Sequence, residues 1–154
     1  MSPAYKDRIV QSDAFTITGG HVLLSRRVRD VMLQFDLGAT ELFAVSIYRH
    51  RDRRPPEFAP RFLFHVTERA EAFDPERSTG VEQVGSKWPG GPPEGAPWLG
   101  VANQDKLAVR GADLPPVDMW ADVKLMNRIF FSDRLKTALS AREPKSRILK
   151  FHKV

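Results

Sequence analysis

Four groups of residues in this 154-residue chain have the types and spacing that chemistry requires. The stretch "ERAEAFDPERS" places Glu68, Glu71, Asp74 and Glu76 close together. That density suits general acid–base work if burial or a neighbouring charge tunes one carboxyl against another. The plainer reading is a strand end and a turn opened by Asp74-Pro75, because an aspartate side chain satisfies its own turn. Ser25 and Ser132 each follow a short apolar run and could serve as nucleophiles, yet neither has a base nearby in the sequence. His21, His50, His65 and His152 stand alone, with no His-x-His or His-x-x-x-His spacing, and the chain has no cysteine. No metal site, cofactor or thiolate chemistry is therefore expected, and no glycine-rich phosphate-binding motif occurs. "RHRDRRPPEFAPR" gathers Arg49, Arg51, Arg53, Arg54 and Arg61 into either a phosphate site or a solvated loop, the latter being usual for charge runs.

Aromatic residues offer a different kind of site. Trp88 and Trp98 flank "WPGGPPEGAPW", and tryptophan is both a core filler and a frequent anchor of protein interfaces. They stand as candidate partner anchors, or as rings tucked under their own loop. Trp120 reads as core.

Charge separates the partner classes. The net charge of +5 and a pI near 9.8 suggest a basic nucleic-acid-binding or regulatory module as an alternative function. The distribution weakens that alternative. Residues 1–61 hold ten basic and seven acidic groups and residues 133–154 hold seven and two, but residues 62–122 hold five basic against ten acidic. A chain of this length with 42% hydrophobic residues fits one domain over 1–154. The absence of cysteine suits a reducing compartment. No apolar run approaches the roughly 18 residues of a membrane span, and "MSPAYKDRIV" lacks a signal-peptide layout. A soluble cytoplasmic protein without a membrane partner is the expectation.

Two similar phrases should position these residues. "VLLSRRVRDVM" (22–32) and "IFFSDRLKTAL" (129–139) each run from apolar strand through serine into a helical stripe. Ser25 and Ser132 align, as do Arg27 with Arg134, Val28 with Leu135 and Met32 with Leu139. Each serine is placed to cap a helix, its hydroxyl accepting from a first-turn N–H. "AFTITGGHVLL" predicts a hairpin with a two-residue turn at Gly19-Gly20. Gly38 is expected to close the first helix, with Phe43, Val45 and Ile47 on one face of the next strand. "RFLFHVT" reads as a strand, "KLAVRG" as a short strand, "VDMWAD" as an extended approach, and "RILKF" as the last strand after Pro144. The fold class is α+β, with two strand–Ser-capped helix–strand units (22–48 and 129–154) around a mixed sheet, joined through an irregular Pro/Gly loop at 85–100. Parallel crossovers or an antiparallel sheet with both helices on one face would satisfy this pattern.

Three of these stretches together resemble a bacterial family. "FLFHVTERAEAFDPERS" and "KLMNRIFFSDRLKTALSAREPKSRILKFHKV" are similar to the strand-and-turn and closing units of an immunity protein family first catalogued as a domain of unknown function, and "VLLSRRVRDVM" fits as a second, degenerate copy. Members are antidotes encoded beside polymorphic toxins delivered by contact-dependent or type VI secretion. The resemblance implies a non-enzymatic protein that neutralises a cognate toxin domain in a stoichiometric complex, and nucleic acid is then not the expected partner. Contacts would then fall on Trp88 and Trp98 as anchors, with Arg51, Arg53 and Arg54 or Asp74 and Glu76 steering encounter.

Overall fold

The structure, a computed structural model, describes residues 12–17, 21–47, 60–100, 106–126 and 128–141. Arg51, Arg53 and Arg54, the Gly19-Gly20 pair and the expected strand "RILKF" lie outside these residues.

Strands β1 (Ala14–Thr16), β2 (Val22–Leu24), β3 (Glu41–Val45) and β4 (Arg61–His65) form an antiparallel sheet in the order β1-β2-β4-β3. Leu24 stands opposite both Ala14 and Phe62, and Leu42 opposite Phe64, so these side chains share one face. Helix α1 (Arg26–Met32) lays Val28, Val31 and Met32 on that face, and α2 (Asp133–Ala141) adds Leu135 and Leu139. The spacing that predicted both helical stripes is the spacing that buries them. Phe43 points the other way and is 46% exposed, which leaves Leu42 as the inward residue of β3.

Longer-range contacts decide several local features. Thr16 pairs with Val22 and the Ile17 amide donates to the His21 carbonyl, which brackets the first hairpin. This register puts Asp13 beside Ser25, whose amide donates to the Asp13 carbonyl at 2.8 Å. Helix α1 ends at Met32, well before Gly38, and the Asp36 carbonyl and amide are taken up by Asp118. Gly38 instead turns the chain at φ 58°, where an added Cβ would stand 2.5 Å from Glu68 Oε2. Strands β2 and β3 are not neighbours: β4 lies between them and is antiparallel to both, so β2 and β3 run parallel and the connection through α1 crosses over β4. Both helices lie on one face of this sheet.

A second sheet pairs β5 (Arg69–Ala70) in parallel with β8 (Met119–Asp122), and β8 antiparallel with β9 (Ile129–Phe131). "VDMWAD" is thus a central strand rather than an approach. Its alternation serves two cores at once. Met119 faces the first core, while Trp120 stacks on Phe130 directly across the ladder, with ring centroids 5.5 Å apart, inside a second core with Phe73 and Leu125. A third, two-stranded sheet joins β6 (Val81–Gln83) to β7 (Trp98–Gly100). "KLAVRG" contributes isolated bridges at Lys106 and Val109, not a strand. Helices and several small sheets together make the α+β class.

Candidate functional site

Each candidate nucleophile is held in a three-residue lock. Ser25 Oγ accepts from the Val28 amide at 3.3 Å and donates to Asp13 Oδ1 at 2.7 Å, while Arg27 Nη2 reaches Asp13 Oδ2 at 2.6 Å. Ser132 Oγ accepts from the Leu135 amide at 3.2 Å and donates to Asp118, whose two oxygens Arg134 grips at 2.5 and 2.6 Å. In both copies the aspartate directly precedes a hairpin and the serine directly follows it. The alignment of Ser-x-Arg was visible in the sequence, but Asp13 and Asp118 were missed. The signal that would have found them is an aspartate one residue before the first strand of each hairpin.

Asp118 is fully buried, at 0% exposure. Burial alone pushes its carboxyl up, but hydrogen bonds from Arg134, Ser132 and the Asp36 amide outweigh that effect and hold it below the usual aspartate range. A carboxylate held this way is a poor proton acceptor, so it does not activate Ser132. Ser25→Ala and Ser132→Ala should each lower stability by about 1–2 kcal/mol, read from the urea midpoint, because a helix N–H and a carboxylate both lose a partner.

The acidic segment diverges rather than converging on a common point. Glu68 Oε2 accepts from the Ala39 amide, and Glu71 pairs with Lys124 Nζ at 2.5 Å. The hydrogen bond from Lys124 holds Glu71 below the ordinary carboxylate range. Asp74 Oδ1 accepts from the Glu76 and Arg77 amides at 3.1 and 3.2 Å, as the Asp-Pro turn predicted, leaving Glu76 exposed. Asp122, which sequence reasoning passed over, accepts the Ala72 and Phe73 amides on Oδ2 at 2.7 and 2.8 Å and the Lys124 amide on Oδ1 at 2.8 Å. Among the described residues no group of three or more His, Cys, Asp or Glu could hold a metal ion.

The two tryptophans part company. Trp98 lies in β7, half-buried, its ring tilted at 57° to Phe73 with centroids 6.2 Å apart. Phe73 draws it into the second core. Trp88 is 58% exposed at the surface of the Pro/Gly loop. Successive turns stitch that loop together: Ser86 to Gln83, Trp88 to Gly85, Gly91 to Trp88 and Ala96 to Pro93, with Gln83 Nε2 donating to the Ala96 carbonyl at 2.8 Å. Gly85, at φ 85°, leaves room for the indole. A Cβ there would meet Trp88 Cε3 at 3.0 Å and Pro93 Cδ at 3.1 Å. The ring is therefore both presented and supported, an arrangement that reduces the ordering entropy lost on binding.

The Ser25 and Ser132 hydroxyls and the Asp118 and Asp122 carboxylates are engaged by helix ends, backbone amides and arginine, while Trp88 and Glu76 are exposed. The model of the Immunity protein family (Imm11) matches residues 3–154 of the chain, a span that takes in both hairpin–helix copies and the Trp88 loop. No curated protein and no solved structure matches it.

Proposed function

Because the chain belongs to the Immunity protein family (Imm11), we propose that it binds and neutralises one cognate secreted bacterial toxin as a stoichiometric complex, without chemistry of its own. Family membership is the observation that carries this reading, and it implies a toxin as protein partner. Support comes from the way the side chains are spent. Ser25, Ser132, Asp118 and Asp122 maintain the scaffold, while Trp88 stands exposed on a preorganised loop. In this reading Trp88 is an anchor, Trp98 supports its loop from below, and Asp74 with Glu76, or Arg51, Arg53 and Arg54, steer encounter. The toxin belongs to a polymorphic system delivered by contact-dependent or type VI secretion, and the complex forms in the cytoplasm of the producing cell.

The test is co-expression with the toxin domain encoded beside the gene. Growth should be restored, and the purified pair should elute as an equimolar complex. Trp88→Ala should weaken that complex by about 10- to 100-fold while leaving the melting temperature nearly unchanged, because an exposed ring contributes little to the core. Continued toxicity in the presence of folded protein would overturn the reading.

A further inference from the structure

Val22, Phe64 and Val66 at the edge of the first core are only partly buried. On the first sheet the inward row runs from Leu24 and Phe62, which are buried, to Val22 and Phe64. On the second it runs from Met119 and Phe131 to Ala121 and Ile129. Helices α1 and α2 pack Val28, Val31, Met32, Leu135 and Leu139 into the buried part of this core. The partly buried edge borders a groove of about 1080 Å³ floored by Val22, Phe64, Val66, Ala121 and Ile129. Val123, Met126 and Ile129, three of the large exposed hydrophobic residues of the molecule, lie along it. Soluble proteins seldom leave a contiguous patch of this kind without a use for it.

Arg69 is exposed at the rim, with His21 and His65 beside it as hydrogen-bond donors, and among the described residues lining the groove the carboxylate, Asp122, has both oxygens engaged by the Ala72, Phe73 and Lys124 amides. The hairpin that forms one wall is anchored: the Trp98 amide donates to the Lys124 carbonyl at 2.7 Å and the Met126 amide to the Trp98 carbonyl at 2.9 Å. The groove is thus preformed rather than assembled on contact.

We propose that this groove between β4 and the β8–β9 hairpin is the toxin-docking cleft, and that it receives a toxin segment presenting a large apolar side chain flanked by Asp or Glu residues. The proposal rests on the immunity reading and names the chemistry of its partner. Charge complementarity selects the occupant: carboxylates meet the arginine and histidine rim, while the apolar side chain continues the unfinished core. A second copy docked face to face would set one basic rim against another, which disfavours a symmetric dimer there.

Two binding measurements on the full chain test this. The first titrates ¹⁵N-labelled protein with a short peptide carrying Leu and Phe flanked by Glu and Asp, and with the same peptide carrying Lys at the acidic positions. The acidic peptide should shift the amides of Val22, Val66, Ala121 and Ile129, and the lysine peptide should not. Equal binding of both peptides, or binding of neither, overturns the cleft. The second measures affinity for the neighbour-encoded toxin domain using Arg69→Glu and Met126→Glu, both at exposed positions and each checked for an unchanged melting curve. Each substitution should weaken binding by at least about tenfold. Unchanged affinity in both variants overturns the cleft while leaving the immunity reading standing. If the unsubstituted protein binds no toxin, the immunity reading fails and the peptide result alone decides whether the groove takes acidic apolar segments. A dimer of the isolated protein that Met126→Glu dissociates would assign the groove to a second copy instead.

Discussion

Phe73→Ala should destabilise the protein by about 4 kcal/mol, a large share of the stability of a domain this size. Phe73 has no exposed surface, and its ring meets Trp98 in a cluster closed by Trp120, Leu125 and Phe130. Truncation removes the transfer free energy of the ring and leaves a cavity that rigid neighbours fill only in part, since Trp120 and Phe130 are already stacked. The effect also travels outward. Trp98 begins β7, which pins the β8–β9 hairpin and closes the loop carrying Trp88, so toxin affinity should fall together with stability. Urea denaturation gives the size of the loss. A midpoint shift worth less than about 1 kcal/mol would mean that the second core is not a principal source of stability.

Asp118→Ala should cost about 3 kcal/mol at neutral pH, because the Ser132 hydroxyl, the Asp36 amide and Arg134 all lose a buried acceptor. Its counterpart Asp13→Ala should cost less, since Asp118 alone also ties the exit of α1 to the second hairpin. The dependence on pH has a definite sign. The folded carboxyl lies below its unfolded value of about 4, so the stabilisation is fully present above about pH 5 and is lost as the pH falls through the unfolded and then the folded value. The difference in melting temperature between the unsubstituted protein and Asp118→Asn should therefore narrow steadily on acidification. A difference that stayed constant down to about pH 3 would remove the charged form of Asp118 from the account.

Features that depend on neighbours in the chain were legible before the fold was known. The serine caps announce themselves because capping needs only a hydroxyl and the next three residues, and the stripes Val28–Val31–Met32 and Leu135–Leu139 follow from helical periodicity. Features decided by distant partners were not legible. Gly38 resembles a helix end until Asp118 claims Asp36. "VDMWAD" resembles a connection until β5, some fifty residues earlier, pairs beside it. Asp13, Asp118 and Asp122 look like ordinary surface carboxylates, because nothing local shows that each is buried against backbone amides or an arginine. Trp88 and Trp98 flank one loop almost symmetrically, and only the position of Phe73 separates a supported exposed ring from a core ring. The family resemblance, carried by residues 58–78 and 118–154, fell within a match that spans 3–154.

The bond between Asp36 and Asp118 joins residues 82 positions apart. A ribosome adding about 5–20 residues per second needs roughly 4–16 s to make the later partner after the earlier one. During that interval Leu24, Val28 and Met32 have no Met119, Leu135 or Leu139 to cover them, and the cleft has only one of its walls. The first core is therefore closed only once Met119, Leu135 and Leu139 have all been made. On the proposed immunity reading, a chain that has not closed this core gives no protection, which favours steady production over synthesis in response to a toxin.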